Sequence, residues 1–116
     1  MPPSILVLRA EMTDKNISTH DAAADDRNEN IIIYVNGELL HRNDAKVSVY
    51  DSGFMLGDGI WEGLRLYDGM LSFLDEHLDR LFEAALYIDL DIGKTRQELT
   101  AAIWETIDAN DMQTDV

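Results

Sequence analysis

The amino-acid sequence predicts an α+β fold, an antiparallel β-sheet with two helices packed on one face. Three observations predict it. Asn36-Gly37 and Asp68-Gly69, dipeptides suited to two-residue hairpin turns, each lie between short apolar runs. From Gly59 onward Ile60, Glu62, Leu64 and Leu66 alternate with Trp61, Gly63, Arg65 and Tyr67, the period of a strand. Beyond Asp75 the apolar period becomes that of a helix, and it does so twice.

Residues 1–30 mix Pro2, Pro3, acidic and small residues without sustained periodicity, and are expected to be a mobile tail. Asn16-Ile17-Ser18 within it is read as a chance tripeptide rather than a glycosylation acceptor. Ile31 to Val35 is a β-branched and aromatic run that stops at Asn36-Gly37, and Glu38 to Leu40 returns as its partner strand. Val47 to Tyr50 reads as a further short strand, ended by Asp51-Ser52-Gly53. Four glycines, Gly53, Gly57, Gly59 and Gly63, then punctuate the approach to the central strand. Met70 to Phe73 should pair back on Trp61 to Tyr67, for five or so strands in all.

Leu78, Leu81, Phe82, Ala85 and Leu86 draw one stripe down a helix from about Asp75 to Ile88, with Asp75, Glu76 and Asp79 at its positive end. Thr95 with Glu98 forms a capping box for a second helix whose stripe is Leu99, Ala102, Ile103 and Ile107, closed by Asn110-Asp111. Met112 to Val116 would enter a new strand.

A chain of 116 residues fits one domain, and 46% apolar residues suffice for an ordinary core. The formal charge of -14, from 23 acidic and 9 basic residues, argues against nucleic-acid binding, which draws its affinity from clustered cations. Cysteine is absent, which excludes disulfides, thiolate nucleophiles and thiolate metal sites. Ile5 to Leu8 is too short to span a membrane, so no membrane association and a cytoplasmic location are expected.

The ordered runs VNGELLHRNDAKVSVYDSGF, LGDGIWEGLRLYDG and LDEHLDRL resemble the N-terminal domain of the fold-type IV (class IV) pyridoxal-phosphate-dependent aminotransferases. That family includes branched-chain and D-amino-acid aminotransferases and 4-amino-4-deoxychorismate lyase. The resemblance covers about 80 residues, Ile33 to Met112. It leaves residues 1–30, the expected tail, unexplained, and implies an N-terminal α+β domain over 31–116 and a C-terminal cofactor domain lying outside this sequence.

Arg80 is the first candidate site residue. Two residues from Leu78, it lies about 160° around the helix from that residue, well off the apolar stripe. Read from the helix alone it would pair with Glu76 or Glu83. The resemblance implies instead that Arg80 binds the cofactor phosphate, a dianion that suits a guanidinium fork. It places Trp61 and Arg65 on the substrate side. Leu56 stands where branched-chain enzymes commonly carry a Tyr directed into the neighbouring subunit's pocket, a departure that bears on the substrate subclass.

Gly57 and Gly59 are assigned to the turn, His77 to a structural role, and Asp58 and Glu62 to turn and strand rather than to an acid–base pair. No residue here is assigned as catalytic. The only lysines are Lys15, Lys46 and Lys94, none at the family's motif, so the Schiff-base lysine is expected beyond Val116 and the chain is expected to be inactive alone. The implied function is pyridoxal 5'-phosphate-dependent transfer of an amino group between an amino acid, of branched-chain type, and a 2-oxo acid. It would take place in the homodimer of a longer enzyme. D-amino-acid transamination and aminodeoxychorismate lyase chemistry are the alternatives within the family, and a non-catalytic remnant or dimerisation module is the alternative outside it.

Overall fold

A computed structural model describes residues 26–113 of the chain. The expected hairpins form where the turn dipeptides stand. Ile32–Val35 (β1) pairs antiparallel with Glu38–His41 (β2), Val35 opposite Glu38, across an Asn36-Gly37 turn with both residues at positive φ. Leu66–Tyr67 (β3) pairs with Met70–Leu71 (β4) across Asp68-Gly69, Leu66 opposite Leu71, and the Ser72 N–H donates to the Arg65 carbonyl at 2.9 Å.

The α+β class holds, but the described strands make two separate two-stranded ladders rather than one sheet of five or so. Gly59 to Arg65 and Val47 to Tyr50 are not strands, because no described strand lies beside them to complete a ladder. Asp51-Ser52-Gly53 does not end a strand either; it starts a short helix, Ser52–Leu56 (α1). There the Gly53 N–H donates to Asp51 Oδ2 at 2.9 Å. A β-carbon on Gly53 would stand 2.8 Å from that oxygen and 3.2 Å from the Asp58 carbonyl, so a larger residue would have to displace the Asp51 carboxylate from its cap. Gly57 ends α1 at φ 76°, in the left-handed region.

The two long helices match their apolar periods. Leu74–Tyr87 (α2) follows the second hairpin, and Arg96–Ala109 (α3) begins at the expected capping box, Thr95 and Glu98 bonding each other's backbone. The Thr95 N–H and hydroxyl hold the Glu98 carboxyl below its usual pKa. Leu66, Leu78, Ala85 and Ala102 are the buried apolar residues among those described, so the core lies where β3, α2 and α3 meet. Leu86, expected on the α2 stripe, is instead exposed. It sits at the edge of the spiral, about 80° from Leu78.

Arg96 bridges the helices, donating to Asp79 Oδ1 at 2.6 Å and standing over the Phe82 ring. Asn110, the C-cap of α3, ties this helix to β1. The Ile32 N–H donates to Asn110 Oδ1 at 2.7 Å, and Asn110 Nδ2 donates to the Ile32 carbonyl at 2.9 Å.

Asp26–Asn28, at the end of the expected tail, forms a 3-10 turn whose Asn28 carbonyl accepts from Arg42 Nη1 at 2.6 Å. Residues 1–25 of that tail, with Lys15 and Asn16-Ile17-Ser18, lie outside the described residues. Of the strand expected from Met112, Met112 and Gln113 are not in a strand, and the remainder is also outside them.

Candidate functional site

The segment from Gly59 to Tyr67 keeps the alternation of a strand although its first half has no partner. Ile60, Glu62, Leu64 and Leu66 are buried or half-buried, and Trp61, Gly63, Arg65 and Tyr67 are exposed. One inward position therefore carries a carboxylate. A charge on an apolar face is costly unless paired, and α2 supplies the partners.

Arg80 Nε donates to Glu62 Oε1 at 3.0 Å and Nη2 to Oε2 at 2.6 Å, a bidentate ion pair. His77 Nδ1 stands 2.5 Å from the same Oε2. Two acceptors would repel at that separation, so Nδ1 carries a proton directed at the carboxylate. Arg80 Nη2 also lies 3.0 Å from Nδ1, and with the proton so placed these are two donors converging on one oxygen rather than a bond between them. The hydrogen bonds from Arg80 first and His77 second hold the Glu62 carboxyl at about 2, against desolvation that pushes it up. The same pairing with Glu62 raises the pKa of Arg80.

Arg80 thus pairs with Glu62, and not with Glu76 or Glu83 as the helix alone would have it. Its side chain remains 63% exposed, against 17% for Glu62, and Nη1 has no hydrogen-bond partner among the described residues. Trp61 is 86% exposed. Arg65 is exposed too, and its guanidinium has neither an ion-pair nor a hydrogen-bond partner among the described residues. Leu56, also exposed, is the last residue of α1, just before the glycine turn into this segment.

Glu62 is the residue that sequence reasoning undervalued. The signal was present, since the alternation put a carboxylate among Ile60, Leu64 and Leu66. Held ionised at about 2, it is suited to a fixed counter-charge and not to delivering protons. Among the described residues no group of three or more His, Asp or Glu is placed to hold a metal ion, and no helix is long and apolar enough to cross a membrane.

The amino-transferase class IV family matches residues 59–114, the stretch that holds Trp61, Glu62, Arg65, His77 and Arg80. A D-alanine aminotransferase of Staphylococcus haemolyticus is 42% identical over 81 residues, 70% of this chain and 29% of the relative. The branched-chain-amino-acid aminotransferase-like protein 1 of Arabidopsis thaliana is 45% identical over 85 residues, 73% of this chain and 15% of the relative. Among solved structures, the branched-chain aminotransferase of the thermophilic archaeon Thermoproteus uzoniensis, crystallised with norvaline, superposes with a TM-score of 0.67. It is 32% identical, with 74% of this chain and 30% of that one covered. The chain spans less than a third of the length of these relatives. Matched in sequence through its ion-paired segment and in fold over most of its length, the chain is similar to the class IV aminotransferases over the part of their length that it spans.

Proposed function

We propose that these residues hold the cofactor phosphate and floor the substrate side in a pyridoxal-phosphate enzyme that moves an amino group from a branched-chain amino acid to a 2-oxo acid. The observation that carries this reading is Arg80: a guanidinium fixed along one edge by Glu62, largely exposed, with Nη1 unpartnered. Such a group fits a phosphate oxygen by charge and by the direction of its donors. Bound pyridoxal phosphate would supply an electron sink for charge developing at the substrate Cα.

The chain's own residues do the rest of the work assigned to this part of the site. Arg80 neutralises the phosphate and fixes the cofactor's far end. Trp61 presents a broad apolar wall that orients the substrate side chain and excludes water. Arg65 offers an unpaired cation to a substrate carboxylate. Leu56, exposed at the end of α1, would face the neighbouring subunit of a homodimer. The amine that moves the proton is, in this reading, none of Lys15, Lys46 and Lys94 but a lysine outside the 116 residues.

Binding of pyridoxine 5'-phosphate tests the Arg80 reading, because this analogue has no aldehyde and does not react with lysines. Arg80→Ala should weaken it on the order of tenfold or more. Arg96→Ala, which removes the ion pair to Asp79, should leave it unchanged. Equal binding by wild type and Arg80→Ala would remove Arg80 from the site. The similarity to the D-alanine enzyme favours D-amino-acid transfer as the second reading. Donor assays on an enzyme containing this domain separate the two, L-leucine preferred over D-alanine in the first and the reverse in the second.

A further inference from the structure

We infer that Glu62 is a positioning residue, whose side-on grip on Arg80 orients the guanidinium so that its remaining donors meet the cofactor phosphate. The inference rests on the reading of Arg80 as the phosphate ligand and adds what makes Arg80 effective. A guanidinium has two useful edges, and Glu62 occupies one of them, through Nε and Nη2. Nη1 is left over, pointing away from the carboxylate by the planarity of the group.

An arginine with a 63% exposed side chain would otherwise sample many rotamers, and binding would have to stop that motion each time. Glu62 has already stopped it. The carboxylate is itself fixed, 17% exposed on the inward face, with His77 Nδ1 as its third donor contact. The arrangement resembles the outer partners that orient metal ligands, with an arginine in place of the ligand.

Glu62 also fixes the segment that carries Trp61. Residues 59–64 have no ladder, yet their alternation is kept, and Glu62 is the inward side chain with polar bonds to α2. One ion pair therefore links the phosphate contact on the helix to the wall on the extended segment. That link has a consequence a plain counter-charge would not have. A counter-charge near an anion site weakens anion binding, so removing it should tighten the phosphate; removing a positioning partner should weaken it.

The test uses the cofactor-free form of an enzyme containing this domain and two-dimensional NMR of the arginine Nε–H groups, with pyridoxine 5'-phosphate as the probe. In the wild type the Arg80 Nε–H should be protected from exchange with water and should shift on titration. Glu62→Gln and Glu62→Asp should each lose that protection and bind the probe about threefold to tenfold more weakly. Glu62→Asp keeps the charge and breaks the side-on geometry, so it decides the matter alone if Glu62→Gln does not fold. Tighter or unchanged binding by a folded Glu62 variant, with Arg80→Ala weakened, would overturn the positioning role and leave the phosphate role of Arg80 standing. Binding indifferent to Arg80→Ala would overturn both.

Discussion

Folded, Glu62 gives up its proton at about 2, where an unpaired glutamate does so at 4.5. The unfolded chain therefore binds that proton more readily, and the pairing with Arg80 and His77 contributes stability that is complete above 4.5 and is lost as the pH falls toward 2. Unfolding midpoints measured across that window should fall on acidification in the wild type, and the fall should be shallower in Glu62→Gln. Identical profiles would mean that the ion pair is not formed in solution. A carboxylate between Ile60 and Leu64 was legible in the sequence as a charge in need of a partner. Which partner was not, because 15 and 18 residues separate Glu62 from His77 and Arg80, and only the packing of α2 brings them together. The same limit made Glu76 and Glu83 look like the natural partners of Arg80. Helical spacing is visible in a sequence, whereas an approach from another element is not.

The capping box of α3 and the Asn110 clamp at its other end hold an element in place by different means. Thr95→Ala removes the acceptor for the Glu98 N–H and should cost about 1 kcal/mol in urea unfolding. Asn110→Ala leaves the Ile32 N–H and carbonyl without their partner and should cost about 2 kcal/mol. A smaller loss at Asn110 than at Thr95 would show that water takes over those groups. The capping box could be read directly, since Thr95 and Glu98 stand three apart before an apolar stripe. Asn110 was read only as a helix end, because its second role reaches across 78 residues to β1. The hairpins were legible for the same local reason as the capping box. The ladders expected at Val47 to Tyr50 and Trp61 to Leu64 depended on neighbouring strands that no local pattern supplies. Helix α1 was missed because five residues are too few to show a period.

At the scale of the whole molecule, a charge of -14 repels itself in the compact state, and salt screens that repulsion. The thermal midpoint should rise between low and molar NaCl, and should rise less in a variant with surface Asp and Glu neutralised. A flat or falling wild-type midpoint would contradict this. The chain also leaves Leu56, Trp61, Tyr67, Phe73 and Tyr87 largely exposed, and Trp61 is the wall proposed for the substrate. With pyridoxal phosphate, L-leucine and 2-oxoglutarate the 116-residue chain should form no glutamate above a protein-free control, since none of its three lysines is assigned to the chemistry. Turnover abolished by changing Lys15, Lys46 or Lys94 would reverse that assignment. The proposed phosphate grip of the Glu62–Arg80 pair would be visible in a crystal structure of an enzyme containing this domain with pyridoxine 5'-phosphate bound. Arg80 Nη1 should stand about 2.8 Å from a phosphate oxygen with Nε still on Glu62; a phosphate bound elsewhere, or Arg80 released from Glu62 to reach it, would rule out that grip.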